Sequence, residues 1–111
     1  MTDSEGAAGA DGGGAVVVHV PQHQRFEIRL GSETVGFTAY VPDGDRLVFV
    51  HTEIDERHEG QGLAGELVRE ALDDVRAAGR RIVAVCPYVA RYVRRHHDWD
   101  DLLDPPTSTR A

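Results

Sequence analysis

Hydrophobic positions along the chain change their period once, near residue 62, and the change divides it into two halves. Before it, the segments VVVHV (16–20), RFEIRL (25–30), TVGFTAYV (34–41) and RLVFVHTEI (46–54) are β-branched or aromatic and largely alternate apolar with polar residues. That is the period of strands with one buried face. Pro21, Gly31-Ser32 and Pro42-Asp43-Gly44-Asp45 fall between them as turn signals. Connections this short join antiparallel neighbours, so the first half predicts a β-meander.

After Gly62 the spacing becomes helical. Leu63, Ala64, Leu67, Val68, Ala71, Leu72 and Val75 recur at three and four residues, one apolar stripe. Glu66, Arg69, Glu70, Asp73 and Asp74 take the other face, and Gly79 supplies a left-handed C-terminal cap. RIVAVC (81–86) reads as a buried strand, and a helix crossing between two strands makes them parallel. Pro87 pre-sets a second, shorter helix over 88–96. The whole is an α+β fold: a mixed sheet, antiparallel meander plus one parallel crossover strand, with two main helices. Residues 1–14, all Gly, Ala and acid in texture, predict a disordered tail, residues 15–104 a single domain, and residues 105–111 a frayed end.

Composition narrows the function. The 111 residues carry a net charge of −7, which argues against nucleic-acid binding, since that rests on neutralising phosphates. All twelve basic residues are arginine, so no lysine is present for Schiff-base chemistry. Apolar runs are too short to span a bilayer, and no secretory signal opens the chain. The lone cysteine, Cys86, excludes an intramolecular disulfide and suits a reducing cytoplasm. A monomer is expected.

The segment Gly60-Gln61-Gly62-Leu63-Ala64-Gly65 spells G-x-G-x-x-G. A dinucleotide-binding fold asks for a strand running straight into the first glycine, an acid about 20 residues later, and repeated βαβ units. Here residues 55–59 are all polar or charged, no acid lies between Asp74 and Asp98, and a meander precedes the motif. Arg57-His58-Glu59-Gly60-Gln61-Gly62 also reads as R-x-x-G-x-G at the start of an amphipathic helix. There glycines let the backbone turn tightly, and the free N–H groups favour an anion such as a diphosphate. A plain glycine turn opening a helix is the other reading.

HTEIDERHEGQGLAGELV, followed by a strand and CPYVARYVRRH, resembles the GCN5-related N-acetyltransferase superfamily, in particular its small single-domain members. The resemblance runs from about Phe26 to Leu103. It implies acetyl-CoA as the cofactor and transfer of its acetyl group to an amine of an unknown acceptor; the alternative is a non-catalytic acyl-CoA-binding module. By the same resemblance, Arg57, His58, Glu59, Gly60, Gln61, Gly62, Leu63 and Ala64 form the loop that binds the diphosphate through main-chain amides. Thr52, Glu53 and Ile54 lie beside the thioester, and the sheet splays between their strand and 81–86. Glu59 stands where many members have a basic residue, and is expected to face solvent.

Four residues are candidates for the chemistry. Cys86, before a helix N-terminus, is either an acetyl acceptor or thiol acid, or a buried structural cysteine. His51 and Glu53, two apart on one strand, share a face and are candidates to relay the amine's proton. Tyr92 lies where the superfamily often places the acid for the leaving thiolate, with Tyr88 competing for the place. Arg91, Arg94, Arg95, His96 and His97 form a basic cluster, either a phosphate contact or a solvated helix face. No metal is expected, because His96 and His97 are adjacent and diverge on a helix.

Overall fold

The computed structural model describes residues 14–106; the tails expected at 1–14 and 105–111 otherwise fall outside them. Four strands form the meander: β1 (Ala15–Val20), β2 (Arg25–Leu30), β3 (Glu33–Asp43) and β4 (Arg46–Ile54). Then come α1 (Leu63–Ala77), β5 (Arg81–Ala84), α2 (Pro87–Arg95) and β6 (Leu103–Asp104). The strands stand in chain order in one six-stranded sheet. β1 to β4 pair antiparallel, while β4–β5 and β5–β6 pair parallel. This is the mixed sheet with two main helices that the periodicity predicts.

The α1 stripe explains why the sheet closes. Leu63, Leu67, Val68, Ala71, Leu72 and Val75 are all buried against Phe26, Ile28, Phe49 and Ile82. Each such side chain contributes about 1.5–3 kcal/mol when fully buried. α1 lies across β1 to β5, and α2 packs beside it on β4 and β5, where Val89, Val93 and Trp99 complete the same core. Gly79 closes α1: its N–H donates to the Arg76 carbonyl and that of Arg80 to the Val75 carbonyl.

Three details differ from the sequence reading. Asp43 still pairs with Arg46, so β3 runs through Pro42-Asp43 and the turn is Gly44-Asp45 alone. β5 stops at Ala84; Val85 is half exposed and Cys86 caps α2. A 3-10 segment (His97–Leu102) and β6 extend the sheet by an edge strand with no alternation to announce it. Its anchors are polar: Arg81 donates to both Asp104 carboxylate oxygens, Arg76 to Asp101, and the Trp99 indole to Asp73.

Candidate functional site

A bulge in β4 aims the side chains of the site. Tyr40 pairs with Phe49 but Ala39 with His51, so Val50 has no partner in β3. An extra residue reverses the alternation. Leu47 and Phe49 face the core, and beyond the bulge Thr52 and Ile54 take that inner face while His51 and Glu53 turn to the other one. Gly36 lets β3 stay close at this place. A Cβ there would lie 2.8 Å from the Glu53 carbonyl and collide with the Ile54 side chain.

Beyond Phe49 the sheet also opens on its other side. Pairing of β4 with β5 ends at Phe49 and Ala84. The Phe49 carbonyl accepts from both Val85 (3.0 Å) and Cys86 (2.7 Å) as the chain turns into α2. Residues 50–54 of β4 are therefore left with no strand along that edge among the described residues. Inside the gap, Thr52 Oγ1 lies 2.9 Å from Thr38 Oγ1 and 3.4 Å from Cys86 Sγ. Thr38 and Cys86 are both buried, so the thiol ends a short buried hydroxyl chain. Across the sheet, His51 Nε2 and Glu53 Oε1 are 3.2 Å apart with most of both side chains exposed, and the Phe37 ring is 5.9 Å from the imidazole.

The glycine loop divides into two parts. Residues Glu56–His58 form a 3-10 turn capped by Asp55, whose carboxylate accepts from the Arg57 amide. The His58 amide donates to the Asp55 carbonyl and that of Glu59 to the Glu56 carbonyl. These three amides are satisfied within the loop. The Arg57 guanidinium binds the Asp55 and Glu33 carboxylates, which raises its pKa and holds the Asp55 carboxyl down to about 2. Glu59 is exposed, and His58 Nδ1 is buried without a hydrogen-bond partner among the described residues.

Residues 60–65 are different: among the described residues none of their amides reaches a carbonyl of the turns, loops or caps in good hydrogen-bond geometry. Gly60 and Gly62 have φ of +82° and +80°, a backbone that only glycine adopts readily. A Cβ at either would meet nothing of the protein within 4 Å. Gly62 is the N-cap of α1, and no side-chain hydrogen bond caps the helix end. Leu63 is buried, anchoring the helix; Ala64 is half-buried and Gln61 exposed. A row of unpaired N–H groups at the positive end of a 15-residue helix, facing open space, fits a diphosphate.

A cavity of about 260 Å³ opens at this helix end, lined by Gly62, Gly65, Tyr88, Tyr92 and the α2 residues around them. A Cβ on Gly65 would come within 3.7 Å of the Tyr88 hydroxyl and the Tyr92 ring. The two rings stack on each other, and Tyr92 also meets His96 and Trp99. Burial pushes both phenols above their ordinary pKa. A larger groove, about 570 Å³, lies between the start of β3 and the end of β4. Glu53, Asp55, Glu56 and Glu59 line it, and their charge opposes a phosphate. The smaller cavity is the one whose chemistry suits an anion.

Thr38 and Gly65 were not among the sequence candidates. Thr38 sits in β3 at an inner-face position and is visible as a site residue only once it pairs with Thr52. Gly65 lies in the motif, but its approach to α2 is tertiary. Among the described residues, no three His, Cys, Asp or Glu side chains are grouped to hold a metal, and no helix is long and apolar enough to cross a membrane.

A family model for GCN5-related N-acetyl-transferases matches residues 25–102. Protein NATD1 of Mus musculus is 32% identical over 87 residues, 77% of this chain and 79% of its own. Protein NATD1 of Homo sapiens is 30% identical over 82 residues, 72% and 73% of the two chains. Among solved structures, an NMR structure of a GCN5-like protein from Staphylococcus aureus superimposes with a TM-score of 0.63 at 15% identity, covering 86% of this chain and 93% of that one. A ribosomal-protein-alanine N-acetyltransferase from Brucella melitensis biovar Abortus 2308 gives 0.51 at 17% identity, covering 78% and 65%. These two likenesses concern the fold.

Proposed function

The chain belongs to the GCN5-related N-acetyltransferase family, and from that premise we propose that it moves the acetyl group of acetyl-CoA to an amine. The observation that carries this reading is the run of unpaired amides at residues 60–65, opening beside the unpartnered edge of β4. Acetyl-CoA supplies an activated thioester. The amides hold its diphosphate, and the free edge of β4 at Thr52 and Ile54 runs along its pantetheine arm.

The remaining residues manage protons. The acceptor must lose one as its nitrogen bonds to the acetyl carbon, and the sulfur must gain one as the carbon–sulfur bond breaks. His51, its Nε2 beside the Glu53 carboxylate, takes the first. Tyr92, a protonated phenol on α2, is the residue proposed to supply the second. Cys86, bonded to Thr52 inside the gap, is the other group placed to serve the sulfur. The proposal includes a monomer working in the cytoplasm, where a single buried thiol stays reduced.

The test is thiol release from acetyl-CoA in the presence of a panel of amines, with mass spectrometry of the acceptors. Release matched by an acetylated amine supports transfer. A second reading, an acyl-CoA-binding module without turnover, draws on the exposure of the His51 and Glu53 side chains, 59% and 63%; binding without release favours it.

A further inference from the structure

The glycine loop opens one end of α1. At the other end, about 22 Å away along a helix of 15 residues, lies another cavity, of about 200 Å³. It is smaller than the sites that take drug-sized ligands. Leu47 and Val75, both buried, give it an apolar lining. Tyr40 and His19 bring polar groups to it, and Asp74 and Arg80 bring one charge of each sign.

His19 is held in place: its ring stacks on Phe26 at 4.2 Å, and its Nε2 lies 2.6 Å from the Tyr40 hydroxyl. Its Nδ1 is 3.7 Å from an Asp74 carboxylate oxygen, too far for a hydrogen bond. Asp74 therefore keeps its capacity to accept. It also sits badly for the helix, since an acid in the last turn of α1 opposes the negative end of the dipole. The neighbouring Asp73 is accounted for by the Trp99 indole, whereas Asp74 has only the distant imidazole among the described residues. Arg76 and Arg81, on either side of Arg80, are tied to Asp101 and Asp104, while Arg80 reaches no carboxylate among the described residues. Burial raises the pKa of the Tyr40 phenol, Arg80 lowers it and Asp74 raises it. Both charges thus act on one buried hydroxyl without closing on each other. A residue that breaks a local rule with no partner to compensate marks a functional place.

We propose that this cavity binds a small aliphatic α-amino acid as its zwitterion, the ammonium donating to Asp74, the carboxylate accepting from Arg80, and the side chain lying against Leu47 and Val75. The ammonium also meets the negative end of the α1 dipole, and the carboxylate suits the guanidinium fork. Such a ligand satisfies both charges at once, which an amine or an acid alone does not. The site is independent of the glycine loop and of acetyl transfer.

A ¹H–¹⁵N NMR titration of the intact protein tests this with L-leucine, with isoamylamine, which lacks the carboxylate, and with isovalerate, which lacks the ammonium. L-Leucine should shift the amides of residues 74–80 saturably. Losing the hydrogen bonds to one charged group makes each single-charge probe about 10- to 100-fold weaker, and D74N and R80Q weaken L-leucine to the same degree. R94Q, at a residue that does not line the cavity, keeps wild-type affinity, and thermal melts establish that each variant is folded. The proposal is overturned by the absence of a saturable shift, by shifts gathered elsewhere, or by unchanged affinity in either D74N or R80Q. Equal weakening in R94Q, or a single-charge probe that binds as tightly as L-leucine, overturns it too.

Discussion

Gly62 holds a backbone conformation with φ of +80° just where α1 begins. Alanine there has open space but the wrong dihedral, at a cost of about 1–2 kcal/mol. Gly62→Ala is therefore expected to lower the melting temperature and to weaken coenzyme A binding; an unchanged melt measured by calorimetry contradicts the assigned strain. Tyr92→Phe removes a hydroxyl without removing the ring that stacks on Tyr88 and His96. Steady-state kinetics should show kcat down about 10²-fold or more with coenzyme A affinity preserved, and unaltered kcat excludes Tyr92 as the acid. Both positions stand out in the sequence, Gly62 by its spacing to Gly60 and Tyr92 by the resemblance. Thr38 does not, because a threonine within an alternating strand has no signal until its partner is known.

β4 shows where pattern ends and tertiary structure begins. RLVFVHTEI alternates clearly enough to place the strand at 46–54, yet the extra residue at Val50 leaves no mark in the sequence. Without the bulge, His51 would continue the inward face of Leu47 and Phe49. With it, Thr52 meets Cys86 and the His51–Glu53 pair turns outward. The loop that follows carries its own electrostatic latch. Arg57 lowers the Asp55 carboxyl from 3.8 to about 2, so this interaction stabilises the folded loop above the ordinary carboxylate pKa and is lost as pH falls through the lowered value. An NMR titration should find the Asp55 midpoint near 2 in the wild type and back towards 3.8 in Arg57→Gln. A wild-type midpoint near 3.8 contradicts the latch. Glu27, held between Arg25 and Arg29, shifts in the same direction, chiefly through the Arg29 hydrogen bond, and its contribution also fades in acid.

Taken whole, the molecule reads from its sequence as far as local period and turn chemistry extend. The meander, α1 with its glycine cap, and α2 after Pro87 all follow from residues near one another in the chain. β6 does not, since two residues held by Arg81 and the 3-10 segment before them depend on partners over twenty positions away. The splay at the site belongs to the same class: it exists because β5 stops at Ala84 while β4 continues to Ile54. The function proposed requires that this gap and the end of α1 act as one receptor. A ¹H–¹⁵N NMR titration of the intact protein with coenzyme A tests that most directly. The largest shifts should fall on the amides of residues 60–65 and along residues 50–54. No shifts at saturating ligand, or shifts gathered on β1 and β2, would contradict it.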